Sequence, residues 1–570
     1  MGLQSCGGDE MVASSGNVVT PWHRSPLGYG VAAVLAAILV AIDQPWQGYW
    51  SRGLLRDIAV VATYAGLLLG VLLACLSRNR WVRWTACLIL SATLIWHVGY
   101  YRVTHERFSF NGAMLVLNNI ETASQATATY WLVFLPLLVI VPAVFGAFEL
   151  VARRLIAFRA RWSLLVVPMV ACMGFIMWHT AGRIEAFPTP FRVPGLLIYC
   201  MTVGSHGPPD APYIPATGRP MVSHIVLVID ESVKATHLSV NGYERPTTPF
   251  LVTRMDRLCT LGIASAAGNS SYTSQAVLFN GGTLANLVDG TVVLFRKPSI
   301  AAYAVSAKFR FGFFDGQSYQ RLIASARHAL PVEDFLYVSA GKEAMQPREM
   351  WDAWLADRIA GWVADNECTV TYVAKQGAHF PYEMTYPQDR KPFAPTVNGY
   401  AWSDDEAANR NSYDNAVTWA CDGFLGALLP ALERLGTDVV VVYTSDHGQA
   451  LPGTVPGSRQ THCNPSLPPD SAEVPLLLWG SGRGQDVVRR IQANTSLVDN
   501  ASHFEIFPTL LTLMGYDKDE VLRLYGPGLF DQLPAGRKRF YLGGVVEVRL
   551  RSKQVEFNPR QLRDRSLCGR

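Results

Sequence analysis

Five apolar stretches without a charged side chain constrain the fold of this chain more than any other feature. They occupy much of its first third and contain no Lys, Arg, Asp or Glu: Leu27–Ile42, Ile58–Leu76, Trp84–Tyr101, Tyr130–Phe148 and Trp162–Trp178. The length of each stretch is close to the roughly 20 apolar residues that a helix needs to cross a bilayer. Helices of a soluble bundle would keep a polar stripe toward water, and a cleaved signal peptide would not be followed by four more such segments. The sequence therefore predicts five transmembrane helices.

Arginines in the connecting loops predict how these helices are oriented. Two loops are rich in arginine, one after the second stretch and one after the fourth: Arg78, Arg80 and Arg83, then Arg153, Arg154, Arg159 and Arg161. Because cytoplasmic loops of membrane proteins carry an excess of Lys and Arg, both loops are expected on the cytoplasmic side. An odd number of spans then places the chain after about His179 outside the cytoplasm.

A proline-rich segment separates the apolar part from the remainder. Eight prolines lie between Ala186 and Pro220, a composition that resists regular structure and is typical of a linker. We therefore predict a membrane domain over residues 1–183, a linker over 184–220 and an exported domain over 221–570. Six cysteines lie after His179, in the linker and the exported domain, where disulfides are permitted, but their pairing cannot be read from the sequence.

The exported part has the sequence pattern of an α/β domain. Four short runs rich in β-branched residues lack the polar alternation of a half-exposed strand: His224–Asp230, Thr369–Ala374, Asp438–Ser445 and Val474–Gly480. Such runs indicate strands covered on both faces, and hence a mainly parallel sheet between layers of helices. Helices are predicted over Asn415–Leu435 and Phe504–Met514.

Acidic and basic side chains gather where the predicted strands end. Binding sites of open α/β sheets form beyond the carboxyl ends of the strands, so these residues are candidates for one site. They are Asp230, Glu231, Lys375, His379, Asp446, His447 and, in a further loop, His462. Taken singly, each has a simpler explanation as a surface histidine or a helix cap. Together, their oxygen and nitrogen donors suit zinc or manganese better than magnesium or calcium.

A serine-rich turn offers the nucleophile that such a metal would activate. The stretch AAGNSSYTSQAVLFNGGT contains Ser270, Ser271 and Thr273 just before an apolar helical segment. A hydroxyl at a helix start serves as a cap, and the backbone amides there also bind phosphoryl oxygens. No segment resembles a nucleic-acid-binding module, and the net charge of +4 is small for 570 residues.

Several longer motifs carry a resemblance to a known family. VLVIDESVKATHLSVNGYERPTTPFL contains Asn-Gly-Tyr-x-Arg-x-Thr-x-Pro, and it is followed by NSYDNAVTWACD, SDHGQAL and SHFEIFPTLLTLMG. With the five predicted spans, these motifs resemble the membrane-bound phosphoethanolamine transferases of Gram-negative envelopes, within the alkaline phosphatase and sulfatase superfamily. The resemblance covers nearly the whole chain.

The resemblance implies a site and a fold. It implies an α-helical membrane domain and an α/β sulfatase-like domain, with the catalytic part in the periplasm and the multi-pass anchor in the inner membrane. The implied ligands of one or two zinc ions, or manganese ions, are Glu231, Asp446, His447 and the nucleophile. Overlaying SYTSQAVLFNG on the sulfatase motif Cys-x-Pro-Ser-Arg puts Ser271 at the nucleophile, with Ser270 and Thr273 as alternatives.

Further roles follow from the same resemblance. Substrate-binding residues are expected to be Lys375, His379, His462, Asn118 and Glu121, with His379 and His462 also acting in catalysis or holding a second metal ion. Asp230 stands where the family has Gly and is a candidate additional ligand.

The implied activity is transfer of phosphoethanolamine from phosphatidylethanolamine to an envelope glycolipid or glycan, lipid A among them. The enzyme would be a monomer in contact with membrane lipids. Alternatives are a phosphoglycerol transferase or sulfatase of the same superfamily, and a catalytically silent binding or regulatory protein.

Overall fold

The fold is taken from a computed structural model of the chain. It describes residues 54–75, 79–104, 163–179, 184–203, 209–287, 294–317, 330–397, 405–451, 461–463, 467–543 and 553–559, with isolated residues between them. The chain divides into two compact units: Met1–Tyr101 with Leu132–Gly195, and Arg102–Trp131 with Leu196–Arg570.

The first unit contains the apolar helices. Helices α1 (Leu54–Cys75) and α2 (Arg80–Thr104) include two windows long and apolar enough to cross a membrane. They agree with the second and third predicted spans. Helix α3 (Ser163–His179) coincides with the fifth span to within one residue at each end. The first span lies outside the described residues, and the fourth lies partly outside them. The number of five therefore stays a prediction.

The proline-rich segment is more regular than its composition predicts. Helix α4 (Thr189–Val203) runs through it, so the expectation that prolines keep this segment irregular is wrong for these residues. Pro190 occupies the first turn, where a backbone N–H has no partner within the helix anyway. Pro194 removes one further hydrogen bond, and the apolar run after it continues the helix.

The second unit is built on a seven-stranded sheet. In chain order its strands are β1 His224–Asp230, β2 Leu258–Ser265, β3 Arg310–Asp315, β4 Phe335–Ser339, β5 Thr369–Ala374, β6 Val439–Ser445 and β7 Glu473–Ser481. Across the sheet they lie in the order β2, β7, β6, β1, β5, β3 and β4. The pairs from β6 to β4 are parallel, while β7 pairs antiparallel with β6 and β2. The predicted mainly parallel sheet is confirmed. A separate hairpin pairs β8 (Arg539–Gly543) with β9 (Lys553–Phe557).

Helices cover both faces of this sheet. In chain order they are α5 Pro249–Val252, α6 Ser271–Asn280, α7 Leu284–Leu287, α8 Ile300–Ser306, α9 Ala340–Glu343, α10 Trp351–Ala364, α11 Glu406–Val417, α12 Phe424–Leu435, α13 Gly484–Gln492, α14 Ile506–Leu513 and α15 Lys518–Tyr525. A π-helical turn, Thr418–Gly423, joins α11 to α12.

Side chains of strand β1 pack against the helices on both faces of the sheet. Its alternate side chains Ile225 and Leu227 pack into one core with α6, α8 and α14, while Val226 and Val228 pack into the other with α10 and α12. All seven residues of β1 are buried. The strand ends are therefore fixed between two close-packed layers, which gives the polar residues that follow them little freedom to move.

Candidate metal centre and nucleophile

Three buried donors meet at the carboxyl ends of β1 and β6. Glu231 follows β1, Asp446 and His447 follow β6, and donor atoms of the three lie within 4.8 Å of one another. Nε2 of His447 is 3.3 Å from Oε1 of Glu231 and 3.6 Å from Oδ2 of Asp446. The parallel pairing of Asp230 with Ser445 sets the two strand ends side by side, so the register of the sheet creates this cluster.

The surroundings of the cluster fit a cation. Oδ2 of Asp446 is buried and has no hydrogen-bond donor among the described residues. Nδ1 of His447 lies 2.7 Å from the carbonyl oxygen of Gly448, which accepts its N–H and leaves Nε2 for the cluster. Two buried carboxylates and one imidazole nitrogen form a donor set that suits zinc.

The pKa shifts of these three groups also indicate a site that favours positive charge. Burial and the neighbouring Glu231 carboxylate raise the pKa of Asp446 well above its usual range. Burial lowers the pKa of His447, but Asp446 and Glu231 outweigh it and raise that pKa to about 9. Burial also raises the pKa of Glu231, yet the charge of His447 overcomes it and the net pKa falls. Without a cation, the cluster therefore retains protons that a bound metal would displace.

Ser271 is the one of the three candidate nucleophiles whose hydroxyl contacts this cluster. It opens α6, and its Oγ lies 3.2 Å from Nε2 of His447 and 3.4 Å from Oε2 of Glu231. Ser270 instead caps the helix by accepting from the backbone N–H of Thr273, and its hydroxyl donates to Oγ1 of Thr273. The hydroxyls of Ser270 and Thr273, the two alternative nucleophiles, are thus hydrogen-bonded to each other and buried.

Two further imidazoles border the centre. The His462 ring stacks on that of His447, with the ring centroids 4.3 Å apart. Burial and then the charge of His447 lower the pKa of His462 to about 3, and burial likewise lowers the pKa of His379. Both rings are therefore neutral at physiological pH, so they are suited to donating an N–H or to binding a metal ion.

Lys375 and Asp230 are placed differently from the sequence-based expectation. Lys375 is fully buried, and its Nζ donates to Oδ2 of Asp230 at 2.6 Å. The other oxygen of Asp230 accepts the backbone N–H of Glu231. Asp230 is outside the donor cluster, so its expected role as an additional ligand is not supported. The ammonium of Lys375 points into the core rather than toward a substrate. Asn118 and Glu121 lie outside the described residues.

Gln317 belongs to the centre but was missed by the sequence reasoning. Its side-chain N–H groups donate to Oε2 of Glu231 at 2.9 Å and to the carbonyl of Lys375 at 2.6 Å. It stands two residues after β3, so the rule that sites follow strand ends would have found it. The aromatic run RFGFFD was not identified as a strand.

Two glycines allow the backbone to close around the centre. Gly377 has φ +59°, and a Cβ there would lie 2.3 Å from Oδ1 of Asp230 and 2.5 Å from the Glu231 nitrogen. At Gly448 a Cβ would lie 2.2 Å from the carbonyl oxygen of Asp470. Gly is therefore required beside His447 for steric reasons.

The Asn-Gly-Tyr-x-Arg motif contacts the Tyr-Asp-Asn sequence of NSYDNAVTWACD at one buried carboxylate, that of Asp414. Oδ2 of Asp414 accepts from Arg245 at 2.8 Å and from the Tyr243 hydroxyl at 3.0 Å, and Oδ1 lies 2.7 Å from Nδ1 of His237. The neighbouring Tyr413 donates its hydroxyl to the carbonyl of Ser232, directly after Glu231. These motif residues therefore brace the loop that follows β1.

We expect Asp414→Asn to lower the free energy of unfolding by about 2 kcal/mol, because a neutral amide weakens charge-assisted hydrogen bonds and presents an N–H to one of the donors. Asp405→Asn is the matched control. Asp405 caps the same helix, α11, and Asn caps equally well, so this change should have little effect. Thermal unfolding of both variants measures the difference. Equal unfolding temperatures would contradict the bracing role.

Comparisons with known proteins find a matching family and several relatives of this chain. A sequence profile described as Sulfatase matches residues 223–516, just over half of the 570. The Kdo(2)-lipid A phosphoethanolamine 7''-transferase of Escherichia coli K12 is 24% identical over 315 residues, 52% of each chain. The chain thus spans about half the length of that relative in the match. Phosphatidylethanolamine transferase Mcr-1 of Escherichia coli is 25% identical over 551 residues, covering 88% of this chain and 97% of the relative.

Solved structures share the fold. The integral membrane protein lipooligosaccharide phosphoethanolamine transferase A of Neisseria meningitidis superposes with a TM-score of 0.61 at 16% identity, covering 86% of this chain and 96% of that one. The C-terminal periplasmic domain of EptC from Escherichia coli, in complex with Zn, gives 0.50 at 18% identity, covering 61% and 97%. The resemblance to phosphoethanolamine transferases is confirmed by these matches, and so is the sulfatase-like fold of the C-terminal domain.

Proposed function

The chain belongs to the sulfatase family, and on this premise we propose that it is a zinc-dependent phosphoethanolamine transferase. Its donor is phosphatidylethanolamine, and its acceptor is an envelope glycolipid or glycan such as lipid A. One observation carries the proposal: the Ser271 hydroxyl at the start of α6 faces Glu231 and His447 of a buried three-donor cluster. The relatives named above are phosphoethanolamine transferases, which supports this choice of transferred group.

Glu231, Asp446 and His447 would hold the zinc ion together with Oγ of Ser271; manganese suits the same donors. Bound there, the ion would lower the pKa of the serine hydroxyl and neutralise charge on the phosphoryl group. The residues fit this role because they supply two carboxylates and one imidazole from fixed strand ends. His379 and His462 border the centre, where they could hold a second ion.

In the first step, Oγ of Ser271 attacks the phosphorus of phosphatidylethanolamine. The Oγ–P bond forms, the bond from phosphorus to the diacylglycerol oxygen breaks, and the serine proton ends on that oxygen. The position of Ser271 at the N-terminus of α6 supports this step, since free backbone amides at a helix start bind phosphoryl oxygens. Neutral His379 and His462 would donate N–H groups to the same oxygens.

In the second step, a hydroxyl or phosphate oxygen of the acceptor attacks the phosphorus of the serine ester. The bond to Oγ breaks, and the serine hydroxyl regains a proton from the acceptor. A multi-pass anchor in the bacterial inner membrane, with five spans and the catalytic domain in the periplasm, would keep the centre near a donor whose acyl chains stay in the bilayer. We propose that the enzyme acts as a monomer.

The test is made on the full chain purified in detergent. We expect about one zinc ion per chain and, after incubation with phosphatidylethanolamine, a covalent phosphoethanolamine adduct by intact mass. Removal of zinc with a chelator should abolish the adduct, and added zinc should restore it. A chain without bound metal or adduct would favour a silent binding protein. A phosphoglycerol adduct from phosphatidylglycerol would instead identify the related transferase.

A further inference from the structure

A buried ionic network lies directly behind the metal centre. Asp230, the last residue of β1, accepts from Nζ of Lys375 and from the hydroxyl of Tyr443, each at 2.6 Å. Lys375, the first residue after β5, also donates to the carbonyl of Ala420 and lies 3.7 Å from Oδ2 of Asp352. The Asp230 and Lys375 side chains have no solvent exposure. One ammonium thus lies between two carboxylates inside the core.

The network is connected by hydrogen bonds to the backbone that follows β1 and to the backbone that follows β5. On one side, Oδ1 of Asp230 accepts the backbone N–H of Glu231 at 2.9 Å. On the other, the two oxygens of Asp352 accept the backbone N–H groups of Gln376 and Gly377 at 2.9 and 3.0 Å. Gly377 begins the short turn that leads to His379. The same carboxylates that neutralise Lys375 therefore also hold the backbone on the two sides of the centre.

The two sides are also tied to each other. The backbone N–H of Ala378 donates to the carbonyl oxygen of Glu231 at 3.0 Å, and that of Lys375 donates to the carbonyl of Ile229. Gly377 packs so closely on Asp230 and Glu231 that a Cβ would overlap them. A shift of the Asp230 carboxylate would therefore change the position of Glu231 and of the turn before His379 together.

We propose that Asp230 and Lys375 form a positioning pair that orients Glu231 for metal binding. The Lys375 ammonium fixes the Asp230 carboxylate, and this carboxylate fixes the Glu231 backbone. The inference rests on the proposed zinc site, and it gives a function to two residues that contact neither metal nor substrate. Groups of this kind, hydrogen-bonded behind the ligands, influence metal affinity strongly.

Two double variants test the pair. Both remove its two charges, but only one of them also removes the hydrogen bond to the Glu231 backbone. The double variant Asp230→Leu with Lys375→Met removes both charges and the acceptor for the Glu231 N–H. The double variant Asp230→Asn with Lys375→Met also removes both charges but keeps an amide oxygen as that acceptor. Zinc affinity of the full chain is measured by competition with a chelating indicator, and thermal unfolding of the zinc-free protein reports the fold.

For a positioning pair, we expect the leucine variant to bind zinc about 10-fold to 100-fold more weakly than the wild type. The asparagine variant should bind zinc nearly as tightly as the wild type, because its acceptor is retained. Equal zinc affinities in both double variants and the wild type would overturn the inference and leave the pair a structural one. A wild-type chain that binds no zinc would refute the proposed function instead.

A milder variant covers the case in which the leucine variant does not fold. Tyr443→Phe removes one hydrogen bond to Asp230 with almost no change of shape, and we expect zinc affinity to fall about threefold. Tyr516→Phe is the control, because its hydroxyl donates to the carbonyl of Tyr303 elsewhere in the core. If the two phenylalanine variants bind zinc equally well, the inference fails.

Discussion

Replacement of Ser271 by Ala is expected to abolish the covalent phosphoethanolamine adduct and to lower the transfer rate by at least about 10³-fold. The variant loses the only described hydroxyl oxygen within 3.5 Å of both His447 Nε2 and Glu231 Oε2. Alanine is a good helix former at the first position of α6, so the fold should be unchanged. Intact mass after incubation with phosphatidylethanolamine detects the adduct, and thermal unfolding detects any loss of structure.

Ser270→Ala is the matched control for this experiment. Ser270 caps α6 through the backbone N–H of Thr273, so its loss should cost about 1 kcal/mol of stability while the adduct still forms. The two serines are adjacent, and the two substitutions are chemically identical. An adduct that persisted in the Ser271 variant and disappeared in the Ser270 variant would transfer the role of nucleophile to Ser270.

Gly377→Ala is expected to lower the free energy of unfolding by about 3 kcal/mol and to remove zinc from the protein. The residue has a positive φ, which costs an L-residue about 1 to 2 kcal/mol. Overlap of the new Cβ with Asp230 and Glu231 adds an overpacking cost of similar size. Because the overlap pushes on Glu231 itself, we expect this proposed metal ligand to move. Zinc content and the unfolding temperature measure the two effects separately.

Gly436→Ala separates the backbone cost from the steric cost. Gly436 ends α12 with φ +65°, close to the value at Gly377, but no neighbouring atom of the described residues lies within 4 Å of the position its Cβ would take. We expect a loss of about 1 kcal/mol and a full zinc content. If the two alanine variants proved equally stable and equally loaded with zinc, the close packing of Gly377 on Glu231 would be unimportant for the site.

Much of the fold was predictable because burial leaves a clear pattern. Central strands covered on both faces consist of apolar β-branched residues, and β1 and β5 agree with their sequence-based bounds at both ends. Strand β3 and the edge strand β4 beside it are short and rich in aromatic residues, and the sequence analysis does not predict them. Proline content alone does not predict helix α4, because the effect of a proline depends on its position within the helix and Pro190 lies in the first turn.

The sequence by itself determined which chemical groups gather at the strand ends. Glu231, Asp446 and His447 follow buried strands, and parallel pairing brings such ends to one edge of a sheet. The sequence could not distinguish Ser271 from Ser270 or Thr273, because all three hydroxyls lie within four residues. Only the direction of the first turn of α6 decided which of them faces the cluster.

Tertiary structure also decided the roles of Asp230 and Lys375. Along the chain they are 145 residues apart, and each follows the strand-end pattern of a site residue. A strand reverses the direction of successive side chains, so neighbours such as Asp230 and Glu231 point to different surroundings. The sheet register, together with the helices packed on it, turned one of these carboxylates toward a buried lysine and the other toward the metal centre.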